Sequence, residues 1–348
     1  MIPEPQNILV IHIAGLAQTI LALPALRSLR EQLHQSRITV VSSAGAADLL
    51  RLAGCADEIL PVVRLKRAEF LRPGTLYRSA KVLSELRKNN YDLAIEFKAN
   101  TESGIILQLA NPRARLNKPG TLNKGITVVL ERVTQALLRQ PPKLTHSAHE
   151  YLKMLEPLAV RPIESEPRLR TDRAADELID KLLRKHDVGS GELLIGIHPG
   201  AGMGKQRWPL ERFTSIASRM IHNFNARVLV FAGPAERGIA KKLAALLPPK
   251  RAIAMETPRL TDLASAVARL SLLVANHSGP AHIAAATGTP VVVASTISGT
   301  SGPSPDDLLG LYHEHIRGSH VELISEEAVY DAACRLLKMN RAEVLRSR

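Results

Sequence analysis

Residues 7–33, NILVIHIAGLAQTILALPALRSLREQL, join an apolar run to a stretch of helical pattern through a turn of small residues. The run 7–13 is typical of a strand buried on both faces of a sheet, and 17–33 predicts a helix. Further strands are predicted at 37–42 (RITVVS) and 91–97 (YDLAIEF). This β-α-β order predicts an α/β domain with a parallel sheet and right-handed crossovers.

The same alternation restarts in the second half of the chain, after a proline-interrupted region at 111–165. The apolar runs 193–198 (LLIGIH), 226–231 (ARVLVF) and 290–295 (PVVVAS) predict strands separated by helices. Two such halves predict a cleft between the carboxyl ends of two sheets, where open α/β sheets bind ligands.

The length of 348 residues suits two domains rather than one core. We expect a first domain at residues 1–163 and a linker that contains a helix at 164–190. A second domain is expected at 191–325, followed by a C-terminal helix and tail at 326–348.

Composition excludes several classes of protein. With 45% hydrophobic and 23% charged residues, the chain is neither disordered nor fibrous. No apolar run reaches the roughly 18 residues that a membrane-spanning helix needs. Cys55 and Cys334 are too few for a disulfide framework or a zinc cluster. The N-terminus has no basic region before its apolar stretch, so we expect a cytoplasmic protein.

The net charge of +13 is concentrated in two segments of the first half, 64–88 and 113–143, which carry a net +6 each. Such a local positive field predicts an anionic partner: a phosphorylated lipid, a nucleic acid or a phosphorylated small molecule. A solvated surface that keeps the protein soluble is the alternative. Aromatic residues make up only 3%, which disfavours nucleic acid because stacking platforms are scarce.

Three loops carry polar or small residues after predicted strands. The first, 12–19, places a small-residue turn at a helix N-terminus, which suits an anion, although an ordinary tight turn looks the same. It lacks the G-x-G-x-x-G pattern of dinucleotide-binding proteins. The second, 198–209 (HPGAGMGKQRWP), is glycine-rich and cationic and can cradle a diphosphate. It is not a P-loop, because Pro199 and Gln206 stand where that motif needs Gly and Ser or Thr.

The third loop, 275–282 (ANHSGPAH), follows a strand and opens a helix. Backbone amides near Ser278 and Gly279 lie where a phosphate can bind with help from the helix dipole. The chain has no H-E-x-x-H, G-x-S-x-G or metal-ligand cluster, so we expect a mechanism without a bound metal.

Taken together and in order, these stretches resemble glycosyltransferase family 9, the ADP-heptose:lipopolysaccharide heptosyltransferases. The resemblance runs through almost the whole chain, at residues 8–30, 91–104, 146–158, 195–213, 228–236 and 274–292. It implies a GT-B fold, with two Rossmann-like domains facing a central cleft, the acceptor in the first and a nucleotide sugar in the second. It further implies that the sugar is transferred with inversion at its anomeric carbon, and that neither a bound metal nor a cofactor takes part.

The resemblance also implies the partners. The donor is a nucleotide-diphosphate sugar, with an ADP-sugar carrying a heptose-like sugar favoured. The acceptor is a lipopolysaccharide or another anionic surface glycan or glycolipid, in accord with the basic first half. The protein is then cytoplasmic, with peripheral contact at the inner face of the inner membrane. We expect no nucleic-acid partner.

Several site residues differ from the family pattern. Gln18 stands where the family has its aspartate base, and a neutral amide cannot act as one. Gln206 stands in place of a lysine, flanked by two cations, and His277 stands in place of an aspartate. Glu236 matches the acidic residue expected near the nucleoside. The donor-binding set carried over is Lys205, Gln206, Arg207, Glu236, His277, Ser278, Gly279 and His282.

Three explanations remain open: an active transferase with another base or donor, a homologue that binds the donor without transferring sugar, and a relative with other chemistry. Gln18, His12 and Glu102 are the candidate catalytic residues, and Glu96 and His277 are further candidate bases.

Overall fold

A computed structural model gives the fold of the chain. It describes residues 5–62, 82, 84–99, 101–118, 121–124, 148–163, 168–189, 191–200, 207–256, 258–296 and 313–346. Most of the two basic segments lie outside these residues, and so does most of 74–89, where the spacing of apolar residues in the sequence predicts a helix. The chain divides into two compact units, 1–167 and 168–348.

The first unit is built on a six-stranded sheet in the order β3-β2-β1-β4-β5-β6. Its strands are parallel except β6, which runs antiparallel to β5. Its elements are β1 (Asn7–His12), α1 (Leu16–Gln32), β2 (Arg37–Ser43), α2 (Ala44–Ala53), β3 (Glu58–Val62), β4 (Leu93–Glu96), α3 (Thr101–Ala110), β5 (Ala114–Lys118), β6 (Thr121–Lys124) and α4 (Ala148–Lys153).

The second unit is built on a sheet of six parallel strands in the order β12-β11-β10-β7-β8-β9. Its elements are α5 (Arg173–Lys185), β7 (Leu194–His198), α6 (Leu210–Phe224), β8 (Arg227–Ala232), α7 (Ile239–Ala245), β9 (Ala252–Glu256), α8 (Leu260–Ala268), β10 (Leu272–Asn276), α9 (Gly279–Thr287), β11 (Val291–Thr296), β12 (His313–Gly318) and α10 (Glu326–Arg346).

The central strands are apolar because helices cover both faces of each sheet. In β1 the residues from Ile8 to His12 are fully buried, and all five residues of β7 are buried. The prediction of α/β architecture with two Rossmann-like domains is confirmed. The strands β5, β6, β9 and β12 were not predicted from the sequence.

The predicted linker helix and the C-terminal helix are both part of the second unit. Arg269, which follows α8, donates to Asp176 and Asp180 of α5 at 2.8 and 2.7 Å. One face of α10, including Val329 and Leu336, packs into the hydrophobic core of the same unit. Residues 168–189 of the predicted linker are described, and they contain the helix α5, which packs within the second unit.

Candidate functional site

Each sheet has one place where the chain reverses the direction in which it adds strands. This switch point lies between β1 and β4 in the first unit and between β7 and β10 in the second. The loops that follow such a pair of strands diverge and leave a crevice outside their carboxyl ends, where open α/β sheets bind ligands. The loops after these four strands therefore define one candidate site in each unit.

Asn276, the last residue of β10, ties together three segments at the second switch point. Its side chain is fully buried. Its Oδ1 accepts the backbone N–H of Trp208 at 2.9 Å, and its Nδ2 donates to the carbonyl of Pro199 at 2.7 Å. The Trp208 indole is itself buried and donates to the carbonyl of Ile324 at 3.0 Å. These bonds fix the backbone at the start of the glycine-rich loop and at its end.

Glu236 lies in the loop after β8, and its buried carboxylate reaches the residues that follow β7. Its Oε2 accepts the Gly233 N–H at 3.0 Å, and its Oε1 lies 3.3 Å from Nη2 of Arg207. The carboxylate packs directly on Gly200, where a Cβ would stand only 2.2–2.4 Å from its atoms. Glycine is therefore required at position 200 as long as Glu236 occupies this position.

His198, the last residue of β7, lies between Glu236 and the start of α9. Its Nε2 is 3.7 Å from Oε2 of Glu236, and its Nδ1 is 3.2 Å from Oγ of Ser278. Burial lowers the pKa of His198 to about 4; the carboxylate of Glu236 acts in the opposite direction, and Arg207 adds to the lowering. The imidazole is therefore neutral near pH 7.

The amino end of α9 is not capped by a side chain. Ser278 is the N-cap residue in extended backbone, but its hydroxyl makes no cap bond and faces His198 instead. Gly279 and Pro280 begin the helix, and proline has no N–H to satisfy. This helix terminus therefore keeps its positive end directed at the crevice, as in helix N-termini that bind phosphate.

His277 and His282 also lie at this end of α9, with ring centroids 5.1 Å apart in an edge-to-face arrangement. His282 is buried, and its Nδ1 has no hydrogen-bond partner among the described residues. Burial, with a smaller effect of His277, lowers the pKa of His282 to about 3. His282 is thus a neutral polar group in the wall of the crevice.

Two of the predicted donor-binding residues, Lys205 and Gln206, lie outside the described residues, as does the rest of 201–206. The predicted residues that are described lie in the loops after β7, β8 and β10 and in the first turn of α9. They are Arg207, Glu236, His277, Ser278, Gly279 and His282.

In the first unit, the side chain of Gln18 bonds back to the loop between β1 and α1. Its Oε1 accepts the N–H of Gly15 at 3.1 Å, and the hydroxyl of Thr19 donates to the Gly15 carbonyl at 2.9 Å. Only 9% of Gln18 is exposed. The prediction that the turn at 12–19 offers backbone amides to an anion is therefore wrong for Gly15, because its N–H is already bonded to the Gln18 side chain.

His12, at the end of β1, is fully buried in an aromatic cluster. Phe97 and Tyr151 pack edge-on against its ring, with centroids 5.9 and 5.6 Å away. Neither ring nitrogen has a hydrogen-bond partner among the described residues. Burial, with a smaller effect of the nearby Lys98 charge, lowers the pKa of His12 to about 3. This position argues against His12 as a proton acceptor for a bound substrate.

The low pKa of His12 predicts a loss of stability in acid. Between pH 6.5 and about 3 the unfolded chain binds a proton that the folded chain excludes, so the free energy of unfolding falls as pH falls. For this shift the effect amounts to about 3–5 kcal/mol. His12→Phe is expected to flatten the pH dependence of denaturant unfolding, because phenylalanine fills the same aromatic cluster and binds no proton. An unaltered slope in His12→Phe would contradict the assignment.

Carboxylates follow β4 at the first switch point. Glu96 is 1% exposed, and its Oε1 accepts the hydroxyl of Ser103 at 2.5 Å, which joins the strand end to the first turn of α3. Glu102, in the same turn, is half-buried. Of these two carboxylates, Glu102 is therefore the one with greater access to solvent.

No group of three or more metal-ligating side chains occurs within the described parts of the chain. None of the helices described there is long and apolar enough to cross a membrane.

Comparison with known proteins decides the family. The model of Glycosyltransferase family 9 (heptosyltransferase) matches residues 79–303. The chain belongs to glycosyltransferase family 9. The fold agrees with solved structures of this family, each similar at low sequence identity.

A family 9 glycosyl transferase from Veillonella parvula superposes with a TM-score of 0.78 at 20% identity, over 96% of this chain and 97% of that one. The Escherichia coli ADP-heptose lipopolysaccharide heptosyltransferase II superposes with a TM-score of 0.72 at 19% identity, over 96% of this chain and 99% of that one. The E. coli heptosyltransferase WaaC superposes with a TM-score of 0.70 at 16% identity, over 94% of this chain and 99% of that one. The family 9 chain thus has the fold of heptosyltransferases.

Sequence reasoning missed two residues of the family 9 crevice, His198 and Asn276. Both are polar residues at the carboxyl end of an otherwise apolar strand. A polar residue at that place ends the buried run and faces the loops where ligands bind, so the signal was present in the sequence.

Proposed function

We propose that the protein transfers a heptose-like sugar from a nucleotide-diphosphate sugar, with an ADP-sugar favoured, to an anionic surface glycan such as lipopolysaccharide. Membership of family 9 supports this, as does the fold shared with WaaC, which was solved with ADP-2-deoxy-2-fluoro heptose. The proposed reaction inverts the anomeric carbon and uses neither a metal nor a cofactor.

The observation that carries the proposal is the crevice at the second switch point. It combines the guanidinium of Arg207, the carboxylate of Glu236 and the uncapped amino end of α9. A cation and a helix N-terminus are the groups that bind a diphosphate, and a carboxylate accepts hydrogen bonds from ribose hydroxyls. We therefore assign the diphosphate to Arg207, Ser278 and Gly279, with Lys205 and Gln206 from the adjoining loop, and the nucleoside to Glu236.

Transfer in this scheme is a direct displacement. An acceptor hydroxyl attacks the anomeric carbon, the bond from that carbon to the diphosphate oxygen breaks, and a base takes the hydroxyl proton. Charge that develops on the leaving diphosphate is stabilised by Arg207 and by the amino end of α9. We propose the half-buried Glu102 of the first unit as the base, because Gln18 cannot ionise and His12 is enclosed.

The acceptor is proposed to be anionic because the first half of the chain carries the two segments of net charge +6. The same charge supports peripheral contact of a cytoplasmic protein with the inner face of the inner membrane.

Calorimetric titration with ADP tests the donor site. Arg207→Ala is expected to weaken binding about tenfold or more, because a hydrogen bond to a charged group is worth about 1.5–3 kcal/mol. The double variant Lys205→Ala/Arg207→Ala is expected to weaken it further. Arg173→Ala is the matched control, since that arginine side chain is 94% exposed on α5. Unchanged affinity in the double variant would remove both cations from the site.

A second function, binding of the donor without sugar transfer, is supported by Gln18, whose amide replaces the family's base and is bonded to Gly15. Release of nucleotide diphosphate from ADP-, UDP- and GDP-sugars, measured with and without an acceptor glycan, separates the two. Acceptor-dependent release supports the transferase, and tight binding with no release supports the second function.

A further inference from the structure

The ring of His198 lies between the carboxylate of Glu236 and the hydroxyl of Ser278 in the second crevice. Its Nε2 faces Glu236 at 3.7 Å, and its Nδ1 is 3.2 Å from the oxygen of Ser278. The side chain is only 6% exposed, so protein groups rather than water determine its state.

Glu236 and Ser278 favour one of the two neutral tautomers, and the backbone of Gly200 and of His198 itself also hydrogen-bonds to the ring. A carboxylate attracts an N–H and repels a lone pair, so the neutral ring carries its hydrogen on Nε2. Nδ1 then has a lone pair and accepts the hydroxyl proton of Ser278. The Ser278 hydroxyl has a single hydrogen. While the ring is neutral, that hydrogen is bonded to Nδ1 of His198 and is not available to a ligand.

Among the described residues, the charged groups that face His198 come from two other segments, Glu236 in the loop after β8 and Arg207 before α6. They oppose one another, and burial keeps the ring neutral. A diphosphate bound at the amino end of α9 brings several negative charges to the Ser278 side of the ring. Opposite charge within about 4–6 Å raises the pKa of a cationic group by about 1–3.

We propose that His198 takes up a proton from solvent when the diphosphate of the donor binds, and that this protonation frees the Ser278 hydroxyl to donate a hydrogen bond to a phosphate oxygen. The inference rests on the proposed donor site. The bond from Ser278 Oγ–H to Nδ1 is lost, Nδ1–H donates to Oγ instead, and Oγ–H becomes free to donate to a phosphate oxygen. No covalent bond other than the new N–H is made.

The step places a positive charge behind the leaving group before the glycosidic bond breaks. An imidazolium held by Glu236 on one side and by Ser278 on the other strengthens the stabilisation of the departing diphosphate. His198 acts through Ser278, so it is a positioning residue whose contribution depends on pH.

Calorimetry of ADP binding in buffers of different ionisation enthalpy measures the protons taken up. At pH 5.5 the wild type is expected to take up most of one proton more than His198→Asn, whose amide oxygen accepts the Ser278 hydroxyl but binds no proton. A rise of about 2–3 in the pKa of His198 on diphosphate binding, from about 4, is expected to increase the affinity of the wild type about 4- to 30-fold relative to that of His198→Asn between pH 8 and pH 5.5. Because ADP is the same in both titrations, its own ionisation cancels.

His315→Asn is the matched control. His315 lies in β12, where burial lowers its pKa to about 4, and its ring contacts Ser295 rather than the crevice. Its proton uptake is expected to equal that of the wild type. Should His198→Asn not fold, Ser278→Ala decides the question, since losing the hydroxyl is expected to reduce both the uptake and the pH dependence.

The outcomes separate this inference from the proposed function. If the wild type does not bind ADP or another nucleotide diphosphate, the donor site itself is refuted. If it binds ADP and the proton uptake of the wild type, His198→Asn and Ser278→Ala is the same, the donor site stands and the role of His198 is refuted.

Discussion

Gln18→Asp is expected to raise the rate of sugar transfer by about 10²–10⁴-fold, the usual contribution of a general base, if the wild type binds the donor without a base of its own, and to change the rate little if Glu102 is already the base. The loop geometry favours the change. Gln18 is in the first turn of α1 and already bonds to the N–H of Gly15, a position where a carboxylate is stabilised by the same amide and by the helix dipole. The rate is measured as acceptor-dependent release of nucleotide diphosphate.

Gln18→Asn is the control for this prediction, because asparagine has the shape of aspartate and cannot ionise. It is expected to show no gain. If Gln18→Asp is folded, binds ADP as the wild type does and transfers sugar no faster, then Gln18 does not occupy the position of a base. In that case Glu102→Gln, which is expected to abolish transfer if Glu102 is the base, becomes the deciding variant.

Gly200→Ala is expected to lower the free energy of unfolding by about 1–3 kcal/mol, the usual effect of overpacking, and to weaken ADP binding. The added methyl would stand 2.2–2.4 Å from the carboxylate of Glu236, so that the carboxylate must leave its place against His198. Denaturant unfolding and calorimetry measure the two effects.

The double variant Gly200→Ala/Glu236→Ala identifies the cause. With the carboxylate removed, alanine at position 200 is expected to cost little stability, so the two substitutions are non-additive. Gly104→Ala in α3 is the control, because a Cβ there meets nothing within 4 Å. If alanine at position 200 costs the same with and without Glu236, some other contact excludes it.

The sequence predicted the central strands of each sheet and missed three of the four edge strands. Central strands such as β1 and β7 are apolar runs because both faces are covered, and such runs are easily recognised. β12 (HEHIRG) lies at one edge, is only half-buried and has a single apolar side chain, that of Ile316. β5 and β6 lie at the edge of the first sheet in a proline-rich region. Edge strands lack the apolar signal that marks a buried one.

The loops of the candidate site were found from the sequence, but the bonds within them were not. A strand followed by small residues and a helix identifies a ligand-binding loop. Whether Ser278 caps its helix or bonds to His198 depends on a residue 80 positions away in the chain, which only the fold brings near. The bond from Gly15 to Gln18 was the more predictable one, because a glutamine three residues after an N-cap commonly reaches back.

The two sheets add their strands in the same order, so that β1 and β7 are equivalent, and each of these strands ends in a histidine. One ring is enclosed by aromatic side chains, and the other lies between an acid and an alcohol. The protein therefore contains its own internal reference. In a spectrum of imidazole resonances recorded while nucleotide is added, the His12 signal is expected to stay fixed as the His198 signal moves.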